Sequence, residues 1–126
     1  MSNNRSTLHF LIVDDHDSAR KMLRQVVSNH PSWVVIGEAT NGAEAIARME
    51  QKPDVVLMDV VMPAMDGLEA VQQIKRIRPE TIVILTTAYR DQELRTRSLE
   101  AGADGFILKD DLMIDALQKI LSAKEE

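Results

Sequence analysis

The sequence predicts an α/β fold in which a five-stranded parallel sheet is doubly wound, with helices on both faces. Two observations carry this: five short apolar runs rich in β-branched residues, and stretches between them where apolar residues recur at helical spacing. Strand and helix patterns therefore alternate five times with short connections, the signature of βαβ units, and right-handed crossovers place helices on both faces. Punctuation agrees, because Pro31, Asn41-Gly42, Pro53, Pro63, Pro79 and Gly102 all fall between the periodic segments.

The first run is Leu8 to Val13, and behind it Ala19, Met22, Leu23, Val26 and Val27 mark one helix face. Trp33 to Ile36 follows, then Ala43, Ile46 and Ala47 at helical spacing. Val55 to Met58 is the third run, with Leu68, Val71 and Ile74 as the stripe after it. Thr81 to Thr86 is the fourth. The segment after it, Asp91 to Ala101, has only Leu94, Leu99 and Ala101 apolar, so a lightly buried, comparatively mobile helix is expected. Phe106 to Leu108 closes the set, and Met113, Ala116, Leu117, Ile120 and Leu121 give the clearest stripe. The runs are continuous rather than alternating, which predicts strands buried on both faces.

A chain of 126 residues with 44% hydrophobic and 28% charged residues is read as one domain, with Met1 to Thr7 a short polar tail and Ser122 to Glu126 a tail or the start of a linker. Aromatics are only 3%, so the core must come from Val, Ile, Leu, Met and Ala. Fifteen Lys and Arg against twenty Asp and Glu give a charge of −5, which argues against direct nucleic-acid or anionic-membrane binding. The absence of Cys excludes disulfides, thiolate metal sites and cysteine nucleophiles and fits a cytoplasmic location. Neither a signal peptide nor a membrane span is visible.

In open parallel sheets, ligands bind beyond the carboxyl ends of the strands. Strand one ends in Asp14-Asp15, strand three in Asp59, strand four in Thr86-Thr87 and strand five in Lys109; strand two ends less informatively in Gly37-Glu38. Singly, each has an ordinary structural reading. Asp14, Asp15 and Asp17 suit a helix N-terminus, Asp59 a turn cap, the threonines a strand and Lys109 a solvated strand end. Together they call for more, because clustered carboxylates destabilise a fold unless neutralised, and a divalent cation with Lys109 would do that.

Asp66, with Glu69 three positions on, reads as a helix cap and not as a ligand. His16 reads as a surface residue, since hard oxygen ligands already suit magnesium. His9 and His30 show no metal or triad spacing, and Arg90, Arg95 and Arg97 read as a solvated basic face. Neither a Walker-type loop nor a dinucleotide fingerprint is present.

These pieces resemble the receiver domains of two-component response regulators. The match is carried by Leu11-Ile12-Val13-Asp14-Asp15 with Arg20, Leu57-Met58-Asp59-Val60-Val61-Met62-Pro63 with Met65-Asp66-Gly67, Thr86-Thr87-Ala88, and Gly102 to Lys109. The resemblance implies a flavodoxin-like sheet of order 2-1-3-4-5, a Mg2+ site, and phosphorylation of one aspartate by a histidine kinase or phosphotransfer protein. It implies Asp59 as phosphoacceptor, and Asp14, Asp15, Asp59 and the backbone carbonyl of Val61 as metal ligands. Thr87 matches the switch hydroxyl, Lys109 the phosphate-side lysine, and Phe106 the aromatic that follows the threonine. The face of the fourth helix, fifth strand and fifth helix would be the readout surface and, on phosphorylation, the surface of a homodimer.

Three departures from the commonest pattern stand out. Lys109 is followed by Asp110-Asp111 where many receivers have Pro, which resembles the LuxR (NarL) type, whose usual partner is a C-terminal helix-turn-helix output domain controlling transcription. Val61 replaces a frequently polar residue and Ala64 a frequent Gly; Val61 and Tyr89, each two past a site residue, are expected to modulate water access to the acyl phosphate. Two other readings compete. A magnesium phosphohydrolase similar to the haloacid dehalogenase group would carry a second Asp two positions after the nucleophile, where this chain has Val61. A degenerate receiver acting only as a protein-binding module is opposed by the presence of the acids, Thr87 and Lys109.

Overall fold

A computed structural model describes residues 7–62, 65–110 and 113–125. The strands are β1 (Leu8–Val13), β2 (Trp33–Ala39), β3 (Val55–Asp59), β4 (Ile82–Thr87) and β5 (Gly105–Leu108). The helices are α1 (Asp17–Ser28), α2 (Gly42–Arg48), α3 (Gly67–Ile77), α4 (Gln92–Glu100) and α5 (Met113–Glu125). All pairings are parallel and the sheet order is β2-β1-β3-β4-β5, so the predicted topology is the observed one.

Two apolar layers flank the sheet. On one face Phe10, Ile12, Leu57, Ile84 and Ile107 pack with Leu23 and Val27 of α1 and Met113, Leu117 and Leu121 of α5. On the other, Leu11, Val13, Val56, Met58, Val83 and Leu85 meet Ala45 of α2 and Ala70, Val71 and Ile74 of α3. The two sets alternate along each strand, as the pleat requires.

Burial on both strand faces holds for the central β1, β3 and β4 and fails at the edges. β2 is buried only at Trp33 and Ala39, and β5 alternates buried and half-buried, because each has one neighbour and partial helix cover. β2 also runs three residues past Ile36. A bulge lets Phe10 face Val35 and Leu11 face Gly37, so Ile36 is skipped and pairing continues to Val13 opposite Ala39.

Two helix faces differ from the predicted ones. In α2, Ala43 and Ala47 are exposed while Gly42 and Ala45 are buried, with Met49 of the following 3-10 turn, Met49–Gln51. Three small alanines a residue or two apart leave the choice of face to packing rather than to periodicity. In α4 the fully buried residue is Ser98, and Leu99 is exposed. The Ser98 hydroxyl donates to the Leu94 carbonyl at 2.7 Å, so burial leaves it satisfied. The expected light burial of α4 is otherwise what is seen.

Helix starts follow local chemistry. Asn41, Asp66 and Asp91 cap α2, α3 and α4 by accepting the backbone N–H three residues on. At α1 the cap position is His16, whose side chain makes no capping bond.

Candidate functional site

Four strands deliver their last residues to one edge. Asp14 follows β1, its N–H donating to the Ala39 carbonyl at 3.1 Å, and Lys109 follows β5, its N–H donating to the Thr87 carbonyl at 2.8 Å. Asp59 ends β3 opposite Thr86 of β4. The Asp14 side chain is fully buried and Asp59 nearly so, whereas Asp15 is exposed at the rim.

The Lys109 ammonium lies between the two buried acids, 2.5 Å from Asp14 Oδ2 and 3.3 Å from Asp59 Oδ2. The opposite oxygens have backbone partners: His16 N–H donates to Asp14 Oδ1 at 3.0 Å and Val61 N–H to Asp59 Oδ1 at 3.1 Å. Burial pushes the Asp59 carboxyl above its ordinary value, and the nearby Asp14 charge adds to the rise; the Val61 amide and the Lys109 charge oppose it. Asp14, Asp15, His16 and Asp59 each present a ligand atom, and these lie within 4.8 Å of one another. Three carboxylates face one ammonium, so the cluster carries excess negative charge that a cation would relieve. Oxygen-rich donor sets of this kind suit a small hard divalent ion.

The two threonines separate by pleat. Thr87 shares the face of Leu85, toward α3 and α4, and its Oγ1 accepts the Tyr89 N–H at 3.2 Å. Phe106, opposite Leu85 in the β4–β5 ladder, packs on that same face half-buried. It also lines a groove of about 570 Å³ with Tyr89, Arg90, Arg95 and Leu108. The arginines at 90 and 95 therefore line this groove, with Asp91 and Gln92, rather than facing solvent alone. Thr86 alternates to the other face with Ile84, where it is fully buried and its hydroxyl has no partner among the described residues.

Sequence reasoning gave no role to two supports of this edge. Arg20 of α1 donates to the Asp14 carbonyl at 2.7 Å and to Glu38 Oε1 at 3.2 Å, and pairs with Asp17 in the first turn of the helix. Arg24 holds the other Glu38 oxygen at 2.7 Å, so the end of β2 that looked uninformative anchors the backbone of an acid-pair residue. Gly67 is the second. A Cβ there would stand 2.8 Å from the Asp59 carbonyl oxygen and from Val60 Cα, so only glycine lets the start of α3 close on the end of β3. Its place two residues after Met65 in the matched motif was the available signal. As expected, Asp66 caps α3 rather than joining the cluster. His9 lies beside Asp54, at the far end of β1 from Asp14, and His30 stacks on Trp33 at 4.2 Å; neither has a partner in the site.

A family model described as the response regulator receiver domain matches residues 10–122. The chain belongs to this receiver domain family. It is thus a receiver domain of a two-component response regulator, a family whose members are typically switches. Among curated proteins it is 44% identical over 101 residues, 79% of this chain and 47% of the relative, to the transcriptional regulatory protein YdfI of Bacillus subtilis. The chain spans about half the length of the curated relatives it matches. Among solved structures, the signal receiver domain of the response regulator NarL from Mycobacterium tuberculosis superposes with TM-score 0.86 at 30% identity, covering 96% of this chain and 98% of that one. A chain of the CheX-CheY-BeF3-Mg+2 complex from Borrelia burgdorferi gives TM-score 0.82 at 29% identity, covering 94% and 90%. Receiver domains of this family bind magnesium at an acidic pocket, and in this chain Asp14, Asp15 and Asp59 cluster at the strand ends. No helix among the described residues is long and apolar enough to cross a membrane.

Proposed function

We propose that Asp59 is the phosphoacceptor of this receiver and that Thr87, Lys109 and Phe106 convert its phosphorylation into a change of surface. The observation that carries the reading is the Lys109 ammonium held between the buried Asp14 and Asp59 carboxylates at one sheet edge. Asp14, Asp15, Asp59 and the Val61 carbonyl would hold Mg2+, and the donor set fits, being three clustered carboxylates that a single lysine leaves under-neutralised. When bound, magnesium supplies charge neutralisation at the phosphoryl oxygens and an orienting template. The likeness to a chain of the CheX-CheY-BeF3-Mg+2 complex supports that assignment.

The donor would be a phosphohistidine of a histidine kinase or phosphotransfer protein. An Asp59 carboxylate oxygen attacks phosphorus; the P–N bond breaks as the P–O bond forms, and the electron pair leaves with the imidazole. Burial strips Asp59 of much of its hydration, and alignment with charge stabilisation supplies the rest of what phosphoryl transfer needs. The Lys109 ammonium then exchanges Asp59 Oδ2 for a phosphoryl oxygen, a charge-assisted contact of the same kind. Thr87 accepts the Tyr89 amide and retains its own O–H to donate, so rotation toward the phosphoryl group costs one weak bond. That rotation clears space on the α3/α4 face for Phe106, and α4, which has little buried surface, can follow. Val61 and Tyr89, both exposed beside the site, would govern water access and hence the lifetime of the acyl phosphate.

The readout surface is then α4, β5 and α5, serving an output domain or a phosphorylation-dependent homodimer. An output that controls transcription fits the name of the Bacillus subtilis relative, and the reading places it in the cytoplasm through a C-terminal helix-turn-helix domain. Intact mass after incubation with acetyl phosphate and Mg2+ tests the reading. One phosphoryl adduct is expected on the wild type, none on Asp59→Asn and none with chelator. An undiminished adduct on Asp59→Asn overturns it.

A further inference from the structure

We propose that Thr86 is a positioning residue for Lys109: its buried hydroxyl accepts a hydrogen bond from the ammonium when phosphorylation draws Lys109 off Asp14. The proposal rests on the phosphoacceptor reading above and adds a residue to it. Thr86 stands directly opposite Asp59 in the β3–β4 ladder. Its side chain is fully buried, and its Oγ1 has no hydrogen-bond partner among the described residues. A hydroxyl in that position carries an unrelieved desolvation cost in the resting domain, which is uncommon for a buried polar group.

The pleat puts this hydroxyl on the side of the sheet where the charged groups meet, because residues two apart on a strand share a face. Ile12 leads to Asp14, Leu57 to Asp59, Ile84 to Thr86 and Ile107 to Lys109, all continuing the layer packed against α1 and α5. Lys109 follows β5 yet reaches Asp59 on β3 and Asp14 after β1, so its side chain crosses the end of β4, where Thr86 lies. Thr86 is fixed there, since its carbonyl accepts the N–H of Val60, the residue after Asp59, at 2.9 Å. An ammonium has three protons, and among the described residues Asp14 Oδ2 at 2.5 Å and Asp59 Oδ2 at 3.3 Å engage two of them. A phosphoryl group on Asp59 competes with Asp14 for the ammonium and draws it back toward β4, by up to one strand spacing of about 4.8 Å. There the Thr86 oxygen meets the remaining donor. The cost that the hydroxyl carries at rest is then relieved in the phosphorylated state alone, which biases the domain toward that state.

Beryllofluoride binding to the full chain with Mg2+ tests this, with the nitrogen-15 signal of the Lys109 ammonium as a second readout. Thr86→Val and Thr86→Ala both remove the hydroxyl and are expected to bind beryllofluoride about tenfold more weakly than the wild type, the worth of one hydrogen bond to a charged group. Thr86→Ser keeps the hydroxyl and should stay within about twofold. In the bound state the Lys109 signal should sit at the same position in the wild type and Thr86→Ser and be displaced in the two hydroxyl-free variants. Unchanged affinity in both of those variants overturns the proposal. So does weakened binding with the bound-state Lys109 signal at its wild-type position, which marks a packing effect. If the wild type does not bind beryllofluoride, or Asp59→Asn binds it as tightly, the phosphoacceptor reading itself fails.

Discussion

Asp104 was only a letter in the Gly102 to Lys109 motif, and in the fold it ties three elements together. Its Oδ2 accepts Lys75 Nζ from α3 at 2.8 Å and the Val83 N–H of β4 at 2.9 Å, while Oδ1 meets Lys124 of α5 at 2.8 Å. Burial pushes its carboxyl up, but the bonds from Lys124, Lys75 and Val83 outweigh that and hold it below the usual range. A carboxylate lowered on folding contributes stability that is full above its unfolded value of about 3.9 and fades as pH falls through the folded value. Asp104→Asn should therefore cost about 2 kcal/mol at neutral pH, with the gap from wild type narrowing below about pH 4. Urea midpoints at pH 7 and pH 3 check it; a gap that widens in acid refutes it. Thr86 is the opposite case. A fully buried hydroxyl without a partner among the described residues carries its desolvation cost unrelieved, so Thr86→Val should stabilise the protein by about 1 kcal/mol in the same assay. A loss of stability would mean that the hydroxyl is satisfied in solution.

Among the elements, α4 stands apart. It buries Ser98 alone, whereas α3 buries Gly67, Ala70, Val71 and Ile74. Opening a helix costs what its buried contacts contribute, so α4 amides should exchange with deuterium well before those of α3 under native conditions. Equal protection would remove the basis for a mobile readout helix. The composition of Asp91 to Ala101 announced this, since eleven residues with three apolar side chains cannot form a wide apolar stripe. Which of its residues faces inward was not announced. Leu99 outranks Ser98 in hydrophobicity, yet helix register set by the Asp91 cap and the α4–β5 approach turns Ser98 inward. The same limit explains α2, where spacing gave Ala43, Ile46 and Ala47; Ile46 does pack against the core, but packing chose Gly42 and Ala45 over the other two.

At the scale of the molecule, one sheet separates two apolar layers, and each central strand contributes alternate residues to both. Neither layer can dissolve while the other persists, since the strands are common to them. Unfolding in urea should be one cooperative transition, with Trp33 fluorescence from the α1/α5 layer and far-UV circular dichroism from the whole chain sharing a midpoint. Separate midpoints would show that the layers are energetically independent.

The sequence by itself determined the α/β class and the alternation of elements, because period-specific apolar patterns and Gly and Pro breaks are local properties. It also determined which acids end which strands, since a strand's end is written next to the strand. Tertiary structure decided what those ends do to one another. The Lys109 ammonium meets Asp14 across 95 residues of chain, Arg20 reaches Glu38 across 18, and Asp104 reaches Lys75 across 29. Contacts of that separation depend on strand order, bulge and crossover, which no local pattern encodes. The bulge that skips Ile36 belongs to the same class.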